Sequence, residues 1–152
     1  MNSPTVKRTD CNDPDFRKLI HLLDNELRSR NGESVQEFFD QYNIIRDIDT
    51  VVLVYCDGMA VGCGCFKKFD INSAEIKRMY VMPGKRGQGI AVLILNELEA
   101  WAKELHYSNL VLETGTRLSE AVSLYKKYGF AVIENWGQYI GVKESVCMGK
   151  QV

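Results

Sequence analysis

The chain has 152 residues, of which 45% are hydrophobic and 26% charged, with a formal net charge of -1. That length suits one domain with a substantial core, and this balance excludes intrinsic disorder and fibrous repeats. A charge so close to zero gives no general attraction to nucleic acid or anionic lipid, so any anion site has to be a local arrangement.

A β-prone stretch, Thr5 to Thr9, precedes Asn12-Asp13-Pro14, where an Asn or Asp cap and a first-turn proline start a helix. Leu19, Ile20, Leu22, Leu23 and Leu27 continue it at helical spacing to Asn31-Gly32, and Glu33 to Gln41 adds a shorter helix. From Thr50 the texture turns to β, and Asp57-Gly58 divides the run into a two-stranded hairpin. After Phe69 to Ser73, the segment AEIKRMYV alternates as a third strand, with Glu75, Lys77, Met79 and Val81 expected on one face. Pro83-Gly84 ends it. Ile90, Leu93, Ile94, Leu98, Trp101 and Leu105 then line one side of a helix reaching about His106. Asn109 to Glu113 reads as a strand, and Ala121, Val122 and Tyr125 mark a helix stopped at Gly129. Phe130 to Ile133 and Glu144 to Met148 complete the strands. The order predicts an α+β fold in a single domain: a mixed, mostly antiparallel central sheet of six to seven strands covered by four helices.

Five cysteines, Cys11, Cys56, Cys63, Cys65 and Cys147, are odd in number and lack paired CxxC spacing, so no zinc site and no metal are expected. They suit a reducing cytoplasm. Cys63 and Cys65 share a strand face and read as small core residues. No apolar run of about 18 residues and no basic-then-apolar leader is present, so neither a membrane span nor export is expected.

The segment from Val81 to Ala91 joins a strand end, a glycine-rich turn and a helix start. Unpaired N–H groups at the helix N-terminus and the positive end of its dipole make an anion site there. Gly87 and Gly89 allow close approach, and Lys85 and Arg86 add positive charge. Two familiar phosphate motifs do not fit. A P-loop needs Lys-Ser/Thr where Ile90-Ala91 stands, and a dinucleotide fingerprint needs glycine at Val92.

With Val81-x-Pro83 before it, the spacing Arg86, Gly89, Ala91 resembles the pyrophosphate motif of the GNAT acetyltransferase superfamily. The run from Ala121 to Phe130, with Leu124-Tyr125 and Gly129-Phe130, resembles its second signature. Glu113-Thr114-Gly115 with Leu112 is similar to an LETG sequence in uncharacterised members. The resemblance implies acetyl-CoA as co-substrate, held at its pyrophosphate by Arg86, Gly87, Gln88, Gly89, Ile90, Ala91 and Val92. Met79, Tyr80 and Val81 would hold the pantetheine arm through their main chain. It implies Tyr125 as general acid, a small-molecule amine or protein amino group as acceptor, and compatibility with a homodimer. Glu75 is expected as the base, with Glu113 and solvent as alternatives, because Lys77 stands where relatives often carry a carboxylate. Leu118 replaces an Asn that many members use against the cofactor. The acceptor region is expected around residues 27–48 and 134–142, with Tyr42, Trp136 and Tyr139 as an apolar wall and Glu33, Asp40, Asp47 and Asp49 as partners for a cation. The expected activity is N-acetyl transfer. The alternative is a non-catalytic acyl-CoA sensor acting through a partner.

Overall fold

A computed structural model describes residues 3–152. Strand β1 (Thr5–Thr9) leads into α1 (Pro14–Asn31), whose first turn is fixed by the Asp13 carboxylate accepting from the Asp15 amide at 2.9 Å. Gly32, at φ 83°, turns the chain into α2 (Glu33–Asp40). Strands β2 (Val51–Cys56) and β3 (Met59–Lys68) form the hairpin, with Asp57 and Gly58 both at positive φ, as a type I′ turn requires. There follow β4 (Ser73–Val81), a 3₁₀ turn (Pro83–Lys85), α3 (Ile90–Glu104), β5 (Asn109–Gly115), α4 (Ser119–Tyr128), β6 (Ala131–Ile133) and β7 (Ser145–Gln151).

The seven strands form one sheet in the order β1-β2-β3-β4-β5-β7-β6, antiparallel throughout except for β4 beside β5. Helices α3 and α4 cover one face, where Val52, Val61, Ile94, Leu98 and Leu110 are buried. Truncating a leucine such as Leu98 to alanine would cost about 2–5 kcal/mol. On the other face α1 packs Phe16 and Leu19 onto Leu53, Cys63 and Cys65, and Phe39 of α2 meets Tyr139 and Cys147. The thiols of Cys63 and Cys65 lie against the carbonyls of Arg78 and Lys77, and burial raises both above the ordinary thiol range. They are core groups. Gly64 lets α3 approach, since a β-carbon there would lie 2.9 Å from Ile94 and 2.6 Å from the Met79 sulfur.

Two features differ from the sequence expectation. Strand β7 runs on to Gln151, because Gly149 to Gln151 pair with Asn109 to Val111 although their polar character hides it. More consequentially, the register of β3 against β4 slips between Cys63–Tyr80 and Cys65–Lys77, where Arg78 takes φ +60°. One extra residue is thereby accommodated, and a bulge of this kind exchanges the faces beyond it. Met79 and Val81 accordingly pack toward α3, while Lys77 and Arg78 both face α1 and α2. The shared face expected for Glu75, Lys77, Met79 and Val81 does not form.

The parallel pairing of β4 with β5 is short, joining only Ser73–Glu75 to Asn109–Val111. Beyond it the strands part. The facing edges of β4 from Ile76 to Val81 and of β5 from Leu112 onward therefore carry main-chain groups with no strand partner across the gap.

Candidate active site

The parting of the strands opens two connected cavities. The larger, about 420 Å³, runs from the start of α3 along Met79, Tyr80 and Val81 to Leu124 and Tyr125. The smaller, about 150 Å³, lies toward α2 and is lined by Gln36, Lys77, Glu113, Arg117 and Glu144 among others. Leu23, Leu27, Met79, Leu118, Ala121 and Tyr125 border both.

At the mouth of the larger cavity, Gly87 and Gly89 sit at φ 77° and 80°, conformations that side chains resist. A β-carbon on either would meet no atom within 4 Å, so the backbone forms an open cradle. Leu93 is the first α3 residue whose N–H reaches a carbonyl of the helix, Gly89 O at 3.1 Å; the amides of Ile90, Ala91 and Val92 precede that ladder. Those free donors, the helix dipole and nearby Lys85 and Arg86 fit a pyrophosphate. Gln88 belongs to the same turn, with its side-chain amide 3.5 Å from Gly84 O. The Arg86 guanidinium donates to Val81 O at 2.8 Å and to Glu26 of α1 at 2.7 Å, and lies over the Tyr80 ring. From the cradle, the open edge of β4 leads inward, as a pantetheine arm requires.

Tyr125 lies at the inner end. Helix α4 stops just after it because Gly129 adopts φ 117°, and the amides of Gly129 and Phe130 return to Tyr125 O at 3.2 and 2.9 Å. Its ring packs edge-on against Phe130 at 5.8 Å, and burial raises its pKa far above the usual phenol value. The hydroxyl therefore keeps its proton at neutral pH.

On the other face, Lys77, Glu75 and Glu113 gather across β4 and β5. The Lys77 ammonium donates to Tyr42 O at 2.8 Å and stands 3.7 Å from Glu75, and burial lowers its pKa. Glu75 is 5% exposed and is not among the residues lining either cavity. Glu113 does line the smaller one. Burial raises its pKa to about 7 and Glu75 pushes in the same direction, while the neighbouring Ser145 hydroxyl and Lys77 draw it down. Of the two carboxyls it is therefore Glu113 that faces a cavity, on a β5 that continues to Gly115.

The three aromatics cluster, Tyr139 packing on Tyr42 at 5.9 Å and on Trp136 at 5.9 Å with Phe38 and Phe39 beside them, but of these only Phe39 lines either of the two cavities. The acidic partners do not gather. Glu33 and Asp40 pair with Arg28, and none of Glu33, Asp40, Asp47 and Asp49 lines either of these two cavities. Sequence reasoning missed Asn31 and Gln36, buried and hydrogen-bonded to each other at 3.0 Å, and the ion pairs that bind α1 across the larger cavity, Glu26–Arg86 and Arg30–Glu120. No local pattern signals them, because their partners lie 5 to 90 positions away. Leu118 occupies the N-cap of α4 without a side-chain hydrogen bond, so the contact offered by an Asn there is lost. Among the described residues no cluster of His, Cys, Asp or Glu suits a metal ion, and no helix is long and apolar enough to cross a membrane.

A split sheet thus carries a glycine cradle at one end of its gap and a buried phenol at the other, a shape with room for a phosphate-bearing chain laid along the open strand edge. The chain matches the acetyltransferase (GNAT) family over residues 16–130. It is 30% identical over 140 residues to the IAA acetyltransferase of Azospirillum brasilense, covering 91% of this chain and 92% of that protein. Over 78 residues it is 40% identical to the uncharacterised N-acetyltransferase C1271.07c of Schizosaccharomyces pombe, 51% of this chain and 48% of that relative, so the match spans about half the length of that protein. A GNAT acetyltransferase of Elizabethkingia anophelis, solved with acetyl-CoA bound, superposes with a TM-score of 0.72 at 21% identity over the whole of both chains. The chain belongs to the GNAT acetyltransferase family.

Proposed function

We propose that this chain moves an acetyl group from acetyl-CoA to the primary amine of a small molecule or protein by direct attack on the thioester. The observation that carries this reading is the meeting of two cavities at Tyr125: one with a cradle for pyrophosphate, the other polar and lined by a carboxyl near neutrality. When bound, acetyl-CoA supplies an electrophilic carbonyl; the residues bind, orient and move protons. The amides of Arg86 to Val92 receive the pyrophosphate, and the open edge of Met79, Tyr80 and Val81 aligns the arm. Glu113 takes a proton from the amine, directly or through water, and Tyr125 gives one to the sulfur. The five free cysteines suit a reducing cytoplasm.

Calorimetric titration with acetyl-CoA, with ADP as control, tests the cofactor assignment without reference to thiols. Saturable binding that favours acetyl-CoA, followed by turnover of an amine, is the expected result. Binding without turnover of any amine would point to the sensor reading, and no binding would discard both.

A further inference from the structure

The smaller cavity has a charge pattern that the acetyl-transfer reading alone does not need. Three cationic side chains line it, Lys77, Arg78 and Arg117, against two carboxylates, Glu113 and Glu144. Arg78 is largely committed: its side chain is 3% exposed and its Nη2 is held by Asp24 and the Ile20 carbonyl, leaving the buried Nε without a partner. The other two cations retain capacity. Lys77, with a side chain 6% exposed, gives one N–H to Tyr42 O and has Glu75 at 3.7 Å, longer than a direct hydrogen bond. Arg117 donates through Nη1 to Asn31 O at 2.8 Å and forms no ion pair among the described residues. Neither Glu113 nor Glu144 has a partner within a direct ion-pair distance in that set. Holding Lys77 charged in this setting costs desolvation, which an arriving anion offsets.

Size narrows the class further. A cavity of about 150 Å³ holds a guest of benzene size, roughly six to eight non-hydrogen atoms. Resting on the acetyltransferase reading, we propose that the acceptor is a small primary amine bearing a carboxylate, of α-amino-acid size, whose carboxylate is received by Lys77 and Arg117. Its nitrogen attacks the thioester carbonyl carbon, forming the C–N bond as the C–S bond breaks. The ammonium first loses one proton to solvent; on attack the nitrogen's second proton passes to Glu113 and the sulfur takes one from Tyr125, leaving an N-acetyl amino acid and free thiol, and proton exchange through water returns Glu113 and Tyr125 to their starting states. Arg117 and Lys77 are specificity residues and take no part in the proton transfers.

The test measures acetyl-CoA consumption by the full chain, with products identified by mass spectrometry. Acceptors are glycine, alanine, serine and aspartate, the amides of the first three, and a short diamine. The amino acids are expected to exceed their amides by about tenfold in kcat/KM, as one charge-assisted contact implies. Arg117→Ala should raise KM for the acids and close the acid-to-amide gap, while Arg117→Lys restores part of it. That ratio is taken within one variant, so general loss of folded protein cancels. Lys77→Met should shrink the same ratio. Equal or better turnover of amides or the diamine overturns the proposal while leaving the acetyltransferase reading intact. So does calorimetric binding of acetyl-CoA with no amino acid acetylated, or an unchanged ratio in Arg117→Ala. Failure to bind acetyl-CoA removes both readings.

Discussion

Tyr125 and Glu113 are separated in chemistry by burial acting on two acids of different ordinary pKa. The phenol is held protonated across the physiological range, and the carboxyl is brought to about 7, where it exchanges protons near neutrality. Replacing Tyr125 with Phe removes only the hydroxyl, so kcat should fall about 100-fold while acetyl-CoA affinity measured by calorimetry persists. An unchanged kcat would remove Tyr125 as the acid. For Glu113 the pH dependence has a definite sign. The group must be ionised to accept a proton, so kcat/KM should rise through about pH 7 and then level off, and Glu113→Gln should abolish that limb. Lys77 and Glu75 from β4, Ser145 and Cys147 from β7 and Tyr139 from the preceding turn surround this carboxyl. Stability runs the other way. Because the folded-state pKa lies above the unfolded value, the native state binds the extra proton, and stability falls as pH rises from about 4.5 to 7. Above that window the ionised group costs roughly 3 kcal/mol, which Glu113→Gln relieves at pH 8 but not at pH 4. Urea unfolding at the two pH values measures this; equal shifts at both would refute it.

At the scale of elements, the turn into α3 and the end of α4 were legible in the sequence because their signals are local. Gly87 and Gly89 are needed where φ is positive, Gly129 stops a helix, and Pro83 closes a strand. The middle of β4 was not legible. AEIKRMYV alternates as a regular strand would, and nothing in the string announces that an arginine adopts φ +60° opposite Gly64. What holds it there is tertiary: α1 supplies Asp24 and the Ile20 carbonyl to the Arg78 guanidinium. Which side chains face the cavities depends on that bulge, and the surroundings of Glu113 include Cys147, its partner on β7, and Tyr139 packed against it, both contributed much later in the chain. The cradle itself yields a sharp prediction. At Gly89 a methyl group would meet open space, so Gly89→Ala carries only the cost of positive φ, about 1 kcal/mol. Gly89→Glu adds bulk and negative charge where the anion belongs and should weaken acetyl-CoA binding at least about 100-fold, some 2.7 kcal/mol. Comparable thermal stability of the two variants would assign the loss to the site, whereas equal affinity for acetyl-CoA would move the anion site away from this turn.

For the whole molecule, the gap between β4 and β5 divides the sheet into a four-strand part and a three-strand part joined by a short parallel pairing. Across the gap α1 forms a clasp: Glu26 holds Arg86 on one side, and Arg30 holds Glu120 on the other, while Arg117 reaches back to the end of α1. Exposed ion pairs of this kind contribute at most about 1 kcal/mol each, so the clasp positions the cleft more than it stabilises it. A ligand that spans the cleft and binds only the folded state adds its own free energy, about 2.7 kcal/mol at a concentration one hundred times its Kd. With a shift of about 2–4 °C per kcal/mol for a chain of this size, acetyl-CoA at that level should raise Tm by roughly 5–10 °C. Hydrogen exchange locates the gain. Acetyl-CoA should protect amides on both sides of the gap, in Ile76–Val81 of β4 and in α4, as well as at the cradle, because it touches both parts of the sheet. ADP, which reaches only the cradle, should protect residues 86–92 alone. A rise in Tm with protection confined to that turn for both ligands would mean that the arm does not enter the gap, and Tyr125 would then lie too far from the thioester to act on it.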